Sequence, residues 1–392
     1  MYGDIAHLPQ PIANCGRLSL RTNYPVQIGN RVTALLKSFA WQNGNDRPSP
    51  CRRRGQRRRP AFTLVELLMV VAICNILLAL LFSAVQAARE SSHRLECANH
   101  LKQIGLAWQL HHGAHQHLPT GGWGWLWTGD PNRGYGAEQP GGWAFNILPY
   151  VEEQALHDIG LGLVDTAASK PFSAANVQRI STPVPLLYCP SRRAVALYPN
   201  VQWNPTANNC NYVAAMARGD YAANVGNPNT PVDPVNCGQW FCECNGGPPS
   251  LTAADNGSWS QWANTTAFNG VSFQRSTVAL RQVTDGTSYT AMVGENYINP
   301  NYYETGTFGS DNESIYVGFD DDIYKTSGFG PLQDTPTNFD LFRFGSAHSS
   351  AFNMSFCDGS VRHIDYEIDD GVFSAWGSRA GGEIIDASTA IQ

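Results

Sequence analysis

Beyond its first sixty residues the chain is short of positive charge. Residues 1–60 hold eleven of the 26 Lys and Arg, with only Asp4 and Asp46 among the 32 acids, so residues 61–392 carry fifteen bases against thirty acids, a net charge of −15. That excludes nucleic acid as a partner of the larger segment, because phosphate contacts need clustered Lys and Arg. Also missing are a Gly-rich phosphate loop, a dinucleotide fingerprint and an HExxH metal motif. No nucleophile, base and orienting group stand together, so no catalytic residue is assigned and the chain is read as a non-enzyme. Apolar residues, by contrast, make up 43% of the chain, enough for a sizeable core and against disorder past the first segment.

The two charge populations meet at a sharp junction. Arg52-Arg53-Arg54 and Arg57-Arg58-Arg59 precede Phe62 to Phe82, 21 residues whose single charge is Glu66. At ~1.5 Å per residue a helix of that length spans roughly 30 Å, the hydrocarbon thickness of a bilayer. It also exceeds the ~7–15 residues of a secretory apolar region, which favours a retained anchor over a cleaved signal. Basic clusters flanking a span stay in the cytoplasm, so residues past about Ala88 are expected outside it. Glu66 needs a reason, since a carboxylate inside a span costs about 2.5–3.5 kcal/mol on insertion scales and marks a function or a partner. Its position four residues into the span also lets it reach toward the headgroups.

Basic residues, Pro60-Ala61, then Phe62-Thr63-Leu64-Val65-Glu66 and an unbroken apolar stretch resemble the cleavage and N-methylation signal of type IV prepilins and pseudopilins. The resemblance implies that prepilin peptidase, a membrane-embedded aspartic peptidase, cuts between Ala61 and Phe62 and that the new amine is methylated. It implies that Glu66 neutralises the N-terminal amine of a neighbouring pilin-like subunit during assembly, a pairing that offsets two charges each costly alone in low dielectric. The residue before the cut is normally Gly, and Ala61 departs from that. Residues 1–61 are then a cytoplasmic leader; no Met lies between Met1 and Met69 to offer a later start.

Past the span, Cys97, Leu101, Ile104 and Trp108 recur at helical intervals, and Gly113 and Pro119 end the pattern. One helix is expected over 62–112, with its membrane part at 62–82. Residues 113–392, rich in Gly, Pro and Asn with short apolar runs, read as a head of strands and long loops. The whole is an α+β chain, and the resemblance makes it pilin-like: a long transmembrane and amphipathic helix followed by a β-rich globular head. Ala351 to Phe356, Asp358-Gly359 and Val361 to Tyr366 predict a β-hairpin with positive φ at the turn, and Asp285-Gly286 before Tyr289 to Val293 reads similarly.

A narrower resemblance covers residues 62 to about 365. Ala84-Val85-Gln86-Ala87-Ala88-Arg89-Glu90, Cys97-Ala98-Asn99-His100-Leu101-Lys102-Gln103-Ile104-Gly105, Leu148-Pro149-Tyr150-Val151-Glu152, Leu187-Tyr188-Cys189-Pro190-Ser191, Val283-Thr284-Asp285-Gly286-Thr287-Ser288 and Val293-Gly294-Glu295 occur in order. They end in His348 followed by nine residues and Asp358-Gly359. This set is similar to bacterial prepilin-like proteins whose ectodomain, bearing an H-x9-DG signature, has no known function. The residues of the signature read as a turn at Asp358-Gly359 with His348 packed beside the strand, or as a recognition element.

Seven cysteines fall beyond the span, in a segment expected to face an oxidising space, so at least one thiol is unpaired or pairs between chains. Cys97 and Cys189 both sit in the family-like motifs, and a bridge between them pinning helix to head is the favoured pairing. Cys237, Cys242 and Cys244 are expected to pair with Cys210 or among themselves, their spacing fitting zinc poorly. His111, His112, His115 and His117 read as a solvated helix end rather than a metal site. Asp320-Asp321-Asp322 offers hard oxygen ligands for Ca2+, and otherwise no metal or cofactor is expected. Trp123, Trp125, Trp127 and Trp143 are equally an aromatic face for sugar or subunit contact and a satellite core.

Two functions follow. One is a pilin-like structural subunit, in a pilus or a type II secretion pseudopilus, single-pass in the membrane with a cytoplasmic N-terminus and its head periplasmic or at the cell surface. The alternative is a membrane-tethered module whose head binds a glycan or another surface polymer.

Overall fold

The computed structural model describes residues 62–201, 207–228, 246–262 and 265–383. Ala61, the basic block, Cys237, Cys242 and Cys244 lie outside the described residues. The chain divides into two units, residues 1–66 and 67–392. In the first, Thr63 and Glu66 cap a helix start reciprocally. The Thr63 N–H donates to Glu66 Oε2 at 2.9 Å and the Glu66 N–H donates to Thr63 Oγ1 at 3.3 Å. The T-x-x-E spacing is the sequence signature of this capping box.

Helix α1 runs Leu64–His115. Through residue 88 its side chains are exposed all round, and among the described residues it is the helix long and apolar enough to cross a membrane. From Cys97 onward one stripe turns inward: Cys97, Leu101, Ile104, Ala107, Trp108 and His111 are buried. The helix outlasts its expected end at His112. A helical Gly costs only about 1 kcal/mol, and the turn beyond Gly113 is held by His115, which stacks on Tyr135 at 4.0 Å and bonds the Tyr150 hydroxyl at 2.9 Å. Gln116, with φ 64°, makes the left-handed stop, its N–H donating to His112 O.

The head then adds short helices α2 (Trp143–Ile147), α3 (Gln154–His157), α4 (Pro171–Ile180) and α5 (Leu251–Asp255), with α6 (Asp370–Gly377) near its end. Strands are β1 (Leu197–Pro199), β2 (Ala215–Ala217), β3 (Tyr221–Asn224), β4 (Ala291–Glu295), β5 (Tyr324–Lys325), β6 (Leu332–Gln333), β7 (Gly345–Ser346), β8 (Ala351–Phe356) and β9 (Val361–Asp365). Five of them form a central sheet in the order β5-β3-β4-β8-β9, antiparallel except for β3 with β5.

Both faces of this sheet are covered, which is why β3 and β4 are buried throughout rather than alternating. Tyr221, Ala223 and Met292 join Leu101, Ile104 and Trp108 of α1 in the main core. On the opposite face Ala222, Ala291, Phe352, Met354 and Phe356 pack with Phe373 and Trp376 of α6. Trp143 and Tyr188 extend the main core, and much of the rest of the head is loop.

The β8–β9 hairpin has the expected boundaries within a residue, with a different turn. Only Gly359 takes positive φ, at 78°. Its N–H donates to Phe356 O at 2.8 Å, and Ser360 O accepts from the Phe356 N–H at 2.9 Å. Asp285-Gly286 makes no hairpin: Gly286 has φ 99°, but a 3-10 turn, Leu280–Gln282, precedes it in place of a strand. Asp285 instead accepts the N–H groups of Gly381 and Gly382, at 2.6 and 3.0 Å, pinning the segment after α6.

Gly359 tests the joint between hairpin and helix. A Cβ there sits 3.0 Å from Gln109 Nε2 in a left-handed conformation, a conformation that costs a residue with a side chain roughly 1–2 kcal/mol. Gly359→Ala is expected to lower the unfolding free energy of the detergent-solubilised chain by about that amount, read from its denaturation midpoint.

Candidate functional site

The sequence motifs meet at one buried place. Glu90 and Cys97, seven residues apart, stand on one face of α1. The β3–β4 register sets Tyr221 opposite Glu295, both fully buried. Cys189 opens the turn after the 3-10 segment Pro185–Leu187, its N–H donating to Asp220 Oδ2 at 2.7 Å. His348 lies between β7 and β8, with its backbone fixed by Ser346 Oγ and by the Tyr366 hydroxyl, which donates to His348 O at 2.8 Å.

At the centre, His348 Nδ1 is 2.5 Å from Glu90 Oε1, and Nε2 is 3.2 Å from Glu295 Oε1 and 3.9 Å from Cys189 Sγ. Cys97 Sγ and Cys189 Sγ are 3.0 Å apart as unbonded thiols. Burial disfavours charge on His348, but its bonds to Cys189 and Glu295 outweigh this and raise its pKa to about 11. Outer groups hold the ring of side chains in place. The Asn353 N–H donates to Glu295 Oε2 at 2.6 Å, Ser191 Oγ donates to Glu90 Oε2 at 2.8 Å, and the Tyr221 hydroxyl bonds Cys97.

The other end of the signature also rests on α1. Lys102 Nζ donates to Gly359 O at 2.5 Å and Gln109 Nε2 to Cys357 O at 3.1 Å. His348 and the Asp358-Gly359 turn thus grip the same helix about three turns apart. Asp358 itself accepts the Ser360 N–H at 2.8 Å and faces solvent.

Several side chains matter here that the sequence reading did not single out as site residues. Glu90 and Glu295 fall within the family-like motifs yet have no spacing to mark them. Arg192 and Arg193, directly after Cys189-Pro190-Ser191, are wholly buried. Arg192 pairs with Asp220 at 3.2 Å and Asp334 at 3.0 Å; Arg193 pairs with Asp220 at 2.7 Å and Asp311 at 2.5 Å. Two adjacent Arg in a segment, 61–392, so poor in bases were the available signal.

Elsewhere the structure redraws the sequence picture. Of the His cluster, His112, His115 and His117 are partly exposed at the helix end, but His111 is fully buried, its Nδ1 bonded to His117 O at 3.0 Å, and burial lowers its pKa to about 3. Trp123, Trp127 and Trp143 are core residues, and Trp125 is half-buried. Cys210 and Cys357 are buried thiols.

A second group that could hold a cation is acidic. Oxygens of Glu313, Asp320 and Asp322 lie within 4.8 Å of one another, a set of hard ligands suited to Ca2+. Asp320 Oδ2 and Asp322 Oδ1 are buried without a hydrogen bond, so the group has ligand capacity to spare. Burial and then the neighbouring carboxylates push Glu313, Asp321 and Asp322 well above the usual carboxylate range, and burial raises Asp320 too. Arg218, 4.0 Å from Asp322, and Lys325, donating to Asp321 O, supply the nearest positive charge.

A membrane-length apolar helix with a capped T-x-x-E start, continuing as one wall of an α+β head, defines a prepilin-like protein and fits a single-pass anchor. In agreement, a family profile for the prokaryotic N-terminal methylation motif matches residues 56–82. A second profile, described as a protein of unknown function (DUF1559), matches residues 86–371, and the chain belongs to that family. Neither is a known enzyme family. No curated protein and no solved structure matches the chain.

The acidic group makes stability depend on pH. Carboxyls with folded pKa values above their unfolded values of about 4 stabilise the fold below that pH, and this contribution is lost as pH rises through the folded values. Asp320→Asn removes one repelling charge, so the variant is expected to gain stability over the native chain between mildly acidic and neutral pH. Melting temperatures of the two proteins, compared across that range without divalent cations, check this.

Proposed function

We propose that the chain is a pilin-like structural subunit, not an enzyme, that prepilin peptidase cuts between Ala61 and Phe62 and that assembles through its N-terminal helix. The N-terminus is cytoplasmic and the acidic head lies in the periplasm or at the cell surface. One observation carries the reading: α1 is uncovered over its apolar first half and built into the head over its second. A tether alone would need neither the rigid continuation nor an acid at position 66.

In this reading Glu66 compensates the amine of Phe62 on a neighbouring subunit in a setting of low dielectric. The basic block is the retained side of the membrane junction. The pilin partners pack against the exposed apolar surface from Leu64 to Val85, where small crossing distances and dispersion contacts drive helix association in lipid. Burial of Trp123, Trp127 and Trp143 gives the glycan-binding alternative less support.

N-terminal mass analysis of the protein from membranes tests the cut. The expected product starts at N-methylated Phe62; a product starting near Met1, or one cut beyond residue 82, overturns the proposal. Glu66→Ala is expected to insert normally and to lose assembly, scored by cross-linking between subunits, whereas cross-linking at native yield refutes the charge pairing.

A further inference from the structure

The buried group at the centre of the head is arranged as ligands rather than as a simple ion pair. Sγ of Cys97 and Cys189, Nε2 of His348 and a carboxylate oxygen of Glu295 all lie within 4.8 Å of one another, and all four residues are buried. Three of the four have their outward side occupied. His348 Nδ1 is held by Glu90, Glu295 Oε2 by the Asn353 N–H, and Cys97 by the Tyr221 hydroxyl. What remains inward is one donor atom apiece. Glu295 Oε1 is fully buried and accepts no aligned hydrogen bond; the group nearest it is His348 Nε2 at 3.2 Å, so an ion that binds the imidazole there also meets the carboxylate.

We propose that Cys97, Cys189, Glu295 and His348 form a closed, structural zinc site that joins α1 to the head. Two sulfurs, one imidazole and one carboxylate match the borderline-soft preference of zinc and its tetrahedral coordination, with no position left for water or substrate. His348 binds through Nε2 as the neutral ring, keeping its Nδ1 proton on Glu90. This carboxylate–histidine arrangement is the outer support that metal-bound histidines use. Both thiol protons and the Nε2 proton leave to solvent as the ion enters. Two thiolates, one carboxylate and Zn2+ sum to a single negative charge, faced by the buried guanidinium of Arg192, whose positive charge acts on Cys189.

The competing fate of the thiols is a disulfide, and the sulfur separation does not choose between them. Zn–S bonds of about 2.3 Å set tetrahedral thiolates roughly 3.7 Å apart, and a disulfide needs about 2.05 Å; from 3.0 Å either requires a shift under ~1 Å. The other two donors decide it. A disulfide leaves Glu295 Oε1 and His348 Nε2 where they are and explains neither their convergence on the sulfurs nor the outer bonds that aim them.

The test uses the full chain, purified from membranes in detergent without chelator. It is expected to carry one zinc per chain by plasma mass spectrometry. Co2+ exchanged into it is expected to show sulfur-to-metal charge transfer and the intense visible bands of a tetrahedral ion. Cys97→Ser and His348→Gln should each lose the metal. Glu90→Gln keeps all four ligands and, as a positioning change, should weaken zinc by about 10–100-fold in competition with a chromophoric chelator. The proposal is overturned if the native chain, mildly reduced, takes up neither zinc nor cobalt. It is overturned equally by recovery of Cys97 and Cys189 in one disulfide-linked peptide from protein alkylated without reduction, or by full zinc occupancy in both ligand variants.

Discussion

A carboxylate removed from water needs a partner held close, and at the core of this head two carboxylates share one. Glu90 comes from the helix and Glu295 from the middle of the sheet, and the His348 imidazole between them reaches both. Because Glu295 is wholly buried, leaving it unpaired would cost on the order of 3–5 kcal/mol. The segment between β7 and β8 therefore has to lie across the helix. Once it does, β8 pairs with β4, β9 follows, and the turn at Gly359 comes down on Lys102 and Gln109. The signature's fixed spacing of nine residues is the length of chain that carries one strand from the imidazole to that turn.

The same logic of paired burial runs through the loops around Cys189. Few strands stabilise them, and their backbone relies on ionic and side-chain bonds. Arg192 and Arg193 gather Asp220, Asp334 and Asp311, which come from widely separated stretches of chain. A network of this sort contributes less to net stability than apolar packing would, but each wrong arrangement strands a charge. Specificity of one loop arrangement is what it supplies. The acidic group at 313–322 is the reverse case, with carboxylates crowded past what Arg218 and Lys325 can offset.

The parts of this fold that were legible in the sequence are those written in periodicity and in charge. An apolar run of membrane length behind a basic block, and a stripe at Cys97, Leu101, Ile104 and Trp108, give α1 with its two environments. The hairpin around Asp358-Gly359 is legible because strand alternation and a turn pair are local signals. The site was only half legible. His348, Cys97 and Cys189 stand out by type and motif, whereas Glu90 and Glu295 become partners of His348 through a helix face and a strand register fixed by contacts more than fifty residues away along the chain. Local turn chemistry also misled where tertiary packing prevailed: Asp285 caps backbone from residues 381 and 382, and His111 is buried by rings from Tyr135 and Tyr150.

The continuity of α1 has a kinetic side. The helix is the first described element to be made, yet its partners Ser350, Gly359 and His348 lie 256, 257 and 258 residues further on. Contacts that distant are formed slowly, since loop closure precedes any return from the contact itself. Until β3 and β4 arrive, the stripe from Cys97 to Trp108 lacks the Tyr221, Ala223 and Met292 side chains that cover it, and the grip of Lys102 and Gln109 on the final turn is completed last of all.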